Sequence, residues 1–386
     1  MRILGRGKTA LSIKERYPSA SIYDDTNKDE YDNESEDITV VSPGMPPHNE
    51  LVFNTKNLIS EYDLFSDEMP FSVWISGTNG KTTTTQMLQH LLFDYDSQSG
   101  GNIGFPLASM DKLKKIWLLE TSSFTLHYTN IAKPNIYVLL SVTEDHLSWH
   151  GTFEAYEQAK LKPLQNMSET DIAILPSKFK HYKTKAKTFY YESIDDLRKE
   201  FQIKSSEINF KEPFLIDAAL ALVVAKIITK KIDYDKINTF TTDFHKLEEF
   251  KDSKNRIWIN DSKATNCAAT IEALKTYKNK NIFLILGGDD KGMDLTPLFV
   301  ELKNYNIKLF LIGQNMMLLS NLAHKYNINA VKIKTLELAV KKISSIYRTN
   351  ENSIAMLSPS AASFDQFSSY IDRGEKFKEF VNSLKL

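Results

Sequence analysis

The chain has a single cysteine, Cys267, among 386 residues, so a disulfide framework is excluded and a reducing compartment, the cytoplasm, is expected. It has no charge excess either. Its 48 basic and 49 acidic side chains leave a net charge of −1. No basic surplus points to nucleic acid, and no polybasic tract points to a lipid surface. Long apolar runs are missing. The most apolar stretch, residues 214–228, is too short to span a bilayer and carries Asp217 and Lys226, so it reads as a buried helix. The opening residues Met1-Arg2-Ile3-Leu4-Gly5 lack the apolar core of a secretion signal. There is no internal repeat and no low-complexity linker. The composition that remains, 42% apolar and 25% charged, is that of a soluble globular protein, with length for about two or three domains.

The most specific feature is Ser76-Gly77-Thr78-Asn79-Gly80-Lys81-Thr82-Thr83. It follows a strand-like run, residues 71–75, and opens a helix-like run through Leu92. Two glycines let the backbone turn its N–H groups inward, Lys81 adds a fixed cation, and the Thr82 hydroxyl can hold Mg²⁺. The usual phosphate loop has Gly five positions before its second Gly. Here that position is Ile75, so the loop is a shorter variety. The segment makes the chain a user of ATP or GTP.

Around this loop the pattern is α/β throughout. Residues 1–65 read as strand (2–4), glycine turn (5–10), a second strand (20–23), a solvated acidic stretch (29–37) and a third strand (38–41) ending at Ser42-Pro43-Gly44. That order is a mononucleotide-binding half-fold. Residues 66–242 add strand-like runs at 116–119, 136–140 and 171–175, with Glu120 and His146 at or beyond their carboxyl ends. Residues 243–386 alternate strands (257–259, 282–286, 309–312, 354–357) with helices (268–277, 336–347), and a last helix is expected over 364–386, so a further doubly wound sheet is predicted.

Polar residues gather at strand ends. Glu120 can ligate Mg²⁺ or simply cap its strand. His146, in Thr143-Glu144-Asp145-His146, reads equally as a structural hydrogen-bonder or a ligand. By spacing alone Lys160 is an ordinary helical surface lysine. Asn260-Asp261-Ser262-Lys263-Ala264-Thr265-Asn266, Leu286-Gly287-Gly288-Asp289-Asp290-Lys291 and Leu357-Ser358-Pro359-Ser360-Ala361-Ala362-Ser363-Phe364-Asp365 make three polar rims on one sheet edge, more than helix caps need.

Taken together with Gly101-Asn102-Ile103-Gly104, these segments resemble the Mur ligase family, which builds the peptide of the bacterial cell wall. The resemblance spans almost the whole chain and is weakest in residues 1–65 and 178–212. It implies three domains: a short Rossmann-like N-terminal domain for a UDP-sugar (1–65), a central P-loop ATPase domain with a mostly parallel sheet (66–242), and a C-terminal Rossmann-like doubly wound domain for the amino acid (243–386). The Asp-Ser-Lys-Ala-Thr-Asn run and the Leu-Ser-Pro…Ala-Ser-Phe-Asp-Gln-Phe run point to the D-glutamate-adding branch. That branch joins D-glutamate to UDP-N-acetylmuramoyl-L-alanine through an acyl phosphate.

The resemblance also implies roles. Gly77, Thr78, Asn79, Gly80, Lys81, Thr82, Thr83, Lys246, Asp261 and Lys263 fall to ATP. Gly7, Lys8, Thr9, Asp24, Ser42, Pro43, Gly44, Asn102 and His146 fall to the UDP-sugar. Thr265, Lys291, Ser363 and Tyr370 fall to D-glutamate. Lys81, His146 and Lys160 are catalytic. Two Mg²⁺ ions are expected on Thr82, Glu120, His146 and Lys160, the last as a carbamate. The chain departs from the family at Pro213-Phe214 and Asp217 near the adenine, at Lys246 where Arg is usual, at Thr26 where a basic residue follows Asp24, and at Tyr370 where Phe is common. It is expected to act as a monomer, without nucleic acid or membrane. Another Mur-type or folylpolyglutamate-type amide ligase is the nearest alternative. A nucleotide switch would leave the three rims idle.

Overall fold

The computed structural model describes residues 1–348 and 352–384, and the far end of the expected last helix falls outside them. The chain divides into two compact units, Met1–Phe240 and Thr241–Leu386. Among the described residues no helix is long and apolar enough to cross a membrane.

The first unit carries two sheets. A four-stranded parallel sheet runs in the order Ser21–Tyr23, Arg2–Leu4, Thr39–Val41, Leu58–Ile59. The glycine turn is shorter than the sequence suggests: helix Lys8–Arg16 begins inside it, with Gly7 as its N-cap. A six-stranded parallel sheet follows, in the order Lys187–Tyr191, Ile172–Pro176, Ile136–Leu139, Phe71–Ser76, Ile116–Glu120, Ser97–Gly101. Strand Phe71–Ser76 pairs with Ile116–Glu120 on one side and Ile136–Leu139 on the other, so the sheet winds away from it both ways. The crevice at such a reversal of strand order is where α/β sheets bind ligands.

Both faces of this sheet are covered. On one, helices Lys81–Leu92 and Phe214–Thr229 pack together against Val73, Ile75, Leu118 and Val138. Helix Phe214–Thr229 is apolar on all sides and its residues 217–225 are buried, as expected of a helix inside a core. On the other face Trp74, Trp117, Leu119 and Tyr137 join Ile3 and Val40 of the small sheet in one cluster. That shared core is why the two sheets form a single compact unit.

The second unit is built on one sheet, in the order Glu248–Lys251, Ile257–Asn260, Ser353–Leu357, Asn281–Leu286, Asn306–Ile312, Ala330–Lys334. Only the first strand is antiparallel. Strands Ile257–Asn260, Ser353–Leu357 and Asn281–Leu286 are parallel neighbours. Their carboxyl ends, with the three polar rims, therefore lie side by side on one edge. The last helix is Tyr370–Asn382 and starts later than residue 364, because residues 358–365 stay in the rim and Ser369 caps the helix with its side chain on the Asp372 N–H.

Candidate active site

In the first unit the site grows out of the turn after strand Phe71–Ser76. Gly77 (φ 144°) and Gly80 (φ 83°) hold backbone conformations that L side chains resist. A Cβ on Gly77 would stand 2.5 Å from Leu140 Cβ, and one on Gly80 would stand 2.5 Å from Asp217 Oδ1. The loop can close this tightly only with glycine. Thr78 fastens it to the neighbouring strand end. Its N–H donates to Ser141 O (2.9 Å), its Oγ1 accepts from the Thr143 N–H (3.0 Å), and Oγ1 lies 2.9 Å from the Tyr156 hydroxyl. Lys81 is the first residue of its helix, and Nζ bends back to donate to Gly77 O (3.0 Å) and Thr78 O (2.8 Å). Asn79, Thr82 and Thr83 stand in the same loop and first turn. The helix N-terminus beyond them supplies N–H groups and a favourable dipole for phosphate.

Lys160 reaches the same loop. It is 1% exposed, and Nζ donates to Gly77 O at 2.7 Å while lying 4.7 Å from the centre of the Tyr156 ring. Burial holds its amine well below the ordinary lysine range, with the Lys81 charge adding to the effect and Asp145 and Glu120 opposing it. The surface-lysine reading is thereby corrected: this amine is interior, and it is neutral far more readily than a solvated one.

Glu120 ends the adjacent strand at 2% exposure. Its Oε1 accepts from Asn102 Nδ2 (2.7 Å), and its backbone O accepts from the Asn102 N–H (2.9 Å). Its Oε2 is buried with no partner. A buried carboxylate oxygen left without a donor is costly, and a cation would satisfy it. Among the described residues no three His, Cys, Asp or Glu side chains gather as a metal-binding group. Mg²⁺ needs no such group, since it binds through one or two carboxylates, waters and phosphate oxygens. Glu120 with the Thr82 hydroxyl fits that demand. His146 sits in left-handed backbone (φ 55°), its N–H donating to Asp145 Oδ1 (2.8 Å) and its ring 4.7 Å from that of Phe124. Its Nε2 is 3.6 Å from Asp145 Oδ2.

At the carboxyl edge of the small sheet stand Gly7, Lys8 and Thr9 at the start of helix Lys8–Arg16, Asp24 after the second strand, and Ser42, Pro43 and Gly44 after the third. Asp24 accepts from Arg6 Nε (2.7 Å) and from the Thr26 N–H (3.0 Å), and these donors hold its carboxyl at about 2. Arg6, not Thr26, thus brings the cation to Asp24. The Gly-Arg-Gly turn was the available signal, and sequence neighbourhood pointed elsewhere. Ser42 Oγ is buried and unpartnered. Tyr128 OH donates to Met45 O (2.6 Å), tying this rim to helix Ser123–Tyr128.

The second unit holds the remaining residues. Asp261 is buried. Its Oδ2 accepts from Ser358 Oγ (2.7 Å) and its Oδ1 from the Leu247 N–H (3.2 Å), and burial raises its carboxyl to about 7. Lys246 lies just before Leu247, between two residues with positive φ, His245 (65°) and Leu247 (49°). Lys263 pairs with Asp243 at 3.5 Å. Thr265 follows on the same rim. Lys291 turns through φ 53° on the next rim, Ser363 is buried on the third, and Tyr370 opens the last helix, its O accepting from Ser262 Oγ (2.8 Å). Tyr156, in contact with Thr78 and Lys160, and Arg373, in contact with Ser262, are neighbours of the candidate segments that sequence reasoning missed. Tyr156 lies one helical turn before Lys160 and could have been found by that spacing. Arg373 had no local signal.

Residues 75–213 match the Mur ligase middle domain. The chain is 49% identical to the UDP-N-acetylmuramoylalanine--D-glutamate ligase of Campylobacter jejuni, over 99% of each chain. It is 45% identical to the ligase of the same name from Helicobacter pylori, over 98% of each. In fold it is similar to the MurF ligase of Thermotoga maritima solved with ADP (TM-score 0.60, 16% identity, 89% of this chain and 88% of that one). It is similar too to the UDP-N-acetylmuramate-alanine ligase MurC of the same organism (TM-score 0.58, 14% identity, 98% of each).

Proposed function

The chain belongs to the Mur ligase family, and from that premise we propose that it joins D-glutamate to UDP-N-acetylmuramoyl-L-alanine at the expense of ATP. The observation that carries the reading is local. A glycine-tight phosphate loop, with Lys81 and a helix N-terminus, leaves the strand whose Ile75 pairs with Glu120, a buried, half-satisfied carboxylate. Joint placement of a phosphate cradle and a cation-seeking carboxylate is the equipment of phosphoryl transfer.

The chemistry follows from the difficulty of the reaction. A carboxylate oxygen is a poor leaving group, so the alanyl carboxylate first attacks the γ-phosphorus, giving an acyl phosphate and ADP. The D-glutamate amine then attacks the acyl carbon, loses a proton, and phosphate departs. Lys81 exchanges its contacts with Gly77 O and Thr78 O for the β- and γ-phosphates and balances their charge. Residues 77–83 hold the triphosphate by N–H groups, and the protein's main work is alignment. Two Mg²⁺ ions, held by Thr82, Glu120, His146 and the modified Lys160, would supply charge neutralisation at the phosphates. Lys160 is suited to carbamylation because a buried, neutral amine is the form that adds CO₂. Lys246, Asp261 and Lys263 serve the nucleotide. Thr265, Lys291, Ser363 and Tyr370 take D-glutamate. Gly7, Lys8, Thr9, Asp24, Ser42, Pro43, Gly44 and Asn102 take the UDP-sugar, with Arg6 added. The functional division is 1–65, 66–242 and 243–386. A single cysteine and near-zero charge fit a cytoplasmic enzyme, and the family resemblance implies a monomer.

The test is a panel of L- and D-amino acids with ATP, Mg²⁺ and UDP-N-acetylmuramoyl-L-alanine, read by product mass and phosphate release. One adduct, with D-glutamate, and phosphate release only when acceptor and amino acid are both present are expected. Release indifferent to the amino acid would point to a nucleotide switch. Adducts with another amino acid would assign a sister activity.

A further inference from the structure

The three rims of the second unit converge on one buried side chain. Arg373 stands in the first turn of helix Tyr370–Asn382 and is 1% exposed. Its Nε donates to Ser262 Oγ (2.9 Å), Nη2 to Ser262 O (2.8 Å) and Ala361 O (3.0 Å), and Nη1 to Ala362 O (3.2 Å). All of these hydrogen-bond acceptors are neutral, so the loops hold the guanidinium, while Asp365 and Asp261 favour its charge without bonding to it. The network continues outward. Ser262 Oγ donates to Tyr370 O (2.8 Å). Ala362 pairs with Asp289 across an antiparallel bridge, its N–H to Asp289 O at 2.7 Å and the reverse at 3.0 Å. Asp289 Oδ1 accepts from the Lys291 N–H (3.0 Å). A Cβ on Gly288 would stand 3.3 Å from Arg373 Nη1, so the middle rim also approaches the guanidinium closely.

Every residue assigned to the amino acid is thus close in sequence to a group on this network. Thr265 follows Ser262, Ser363 follows Ala362, Lys291 hangs from Asp289, and Tyr370 is bonded directly. We infer that Arg373 is a positioning residue for the incoming amino acid, one planar fork that sets the spacing of Thr265, Lys291, Ser363 and Tyr370. It touches no substrate itself. The inference rests on the reading that these four residues take D-glutamate. A lysine at this position keeps the charge but cannot reach four acceptors in one plane.

The experiment uses the full chain and measures KM and kcat with D-glutamate, ATP and UDP-N-acetylmuramoyl-L-alanine varied in turn, for Arg373→Lys, Ser262→Ala and Lys291→Ala. Arg373→Lys is expected to raise the KM for D-glutamate about tenfold or more, with KM for ATP changed less than about threefold and kcat at saturating D-glutamate largely kept. Ser262→Ala, which removes one acceptor of the fork, is expected to raise the same KM by roughly threefold. Equal rises for ATP and D-glutamate, or a fall in kcat with KM unmoved, would overturn the role. If Arg373→Lys does not fold, Ser262→Ala decides, and an unchanged KM for D-glutamate overturns it. Lys291→Ala separates the two levels. If it raises KM for D-glutamate while the other variants do not, only the Arg373 role falls. If it too leaves that KM alone, the amino-acid site itself is misplaced.

Discussion

Two lysines address one carbonyl. Lys81 and Lys160 both donate to Gly77 O, and the charge on the first lowers the proton affinity of the second. Lys160→Ala is therefore expected to lose most turnover and to regain part of it with added formate or acetate, small anions that fill the vacated oxygen positions. Bicarbonate labelled with ¹³C should give a carbamate signal in the wild type and none in the variant. Full activity of the variant without added carboxylate would remove Lys160 from the mechanism. Glu61 poses the opposite problem. It is fully interior, its Oε2 has no partner, and burial lifts its carboxyl to about 8 from 4.5. The native state keeps a proton that the unfolded chain releases. The stability this group provides is complete below about 4.5 and is lost as pH rises through about 8. Glu61→Gln should therefore match the wild type near pH 5 and gain about 1–3 kcal/mol over it near pH 9, read as a widening gap in Tm. A gap that stays constant with pH would contradict the assignment. Nothing in sequence announced Glu61, because interior position is a tertiary property. By contrast Lys81 and Glu120 were legible, since a phosphate loop and a strand-end acid are local patterns.

At the scale of elements, legibility followed apolar content. Strands Phe71–Ser76, Ile116–Glu120, Ile136–Leu139 and Asn281–Leu286 are buried on both faces and read as continuous apolar runs. Those that escaped lie mostly at sheet edges. Ser97–Gly101 has no apolar side chain, Glu248–Lys251 is mostly charged, Ala330–Lys334 alternates Val and Ile with Lys, and Leu58–Ile59 is only two residues. Edge strands pair on one side only and tolerate such sequences. The start of the last helix was misplaced for a related reason. Residues 364–369 are held in turns, in part by groups distant in sequence: the Gln366 and Phe367 N–H donate to Ser363 O, Asp365 Oδ2 accepts from the Gln314 N–H and Gln366 Nε2 donates to Lys334 O. The phosphate loop offers the sharpest element-scale test. Gly77→Ala adds a Cβ 2.5 Å from Leu140 Cβ at φ 144°. The loop must shift, at a cost of about 2–4 kcal/mol, and binding of ADP by calorimetry should weaken at least about tenfold. Unaltered ADP affinity would show that the loop tolerates a wider turn than its geometry implies.

For the whole molecule, two units with their own cores have a thermodynamic consequence. The first closes around Trp74, Trp117 and the Phe214–Thr229 helix, the second around Trp258, Phe299 and Phe310. Chains of this length exceed what one core serves, and separate cores need not melt together. The sequence reading placed one boundary at 65/66, yet residues on both sides of it share a cluster that includes Ile3, Val40, Tyr62, Phe65 and Trp74. Apolar patterning tells which face of a strand is buried, but not which other face covers it. Residues 1–240 should accordingly unfold as one cooperative body that carries the small sheet with it. In differential scanning calorimetry without ligands two transitions are expected. Gly77→Ala should lower only the one belonging to the first unit, and Arg256→Ala, which breaks the buried pair with Asp252 (2.7 Å) and the bonds to Ser344 and Tyr347, should lower only the other. A single transition that moves as a whole in both variants would mean that the two cores share their cooperativity. A third transition untouched by either would mean that the small sheet melts on its own, and that the Ile3–Trp74 cluster contributes less than its burial suggests.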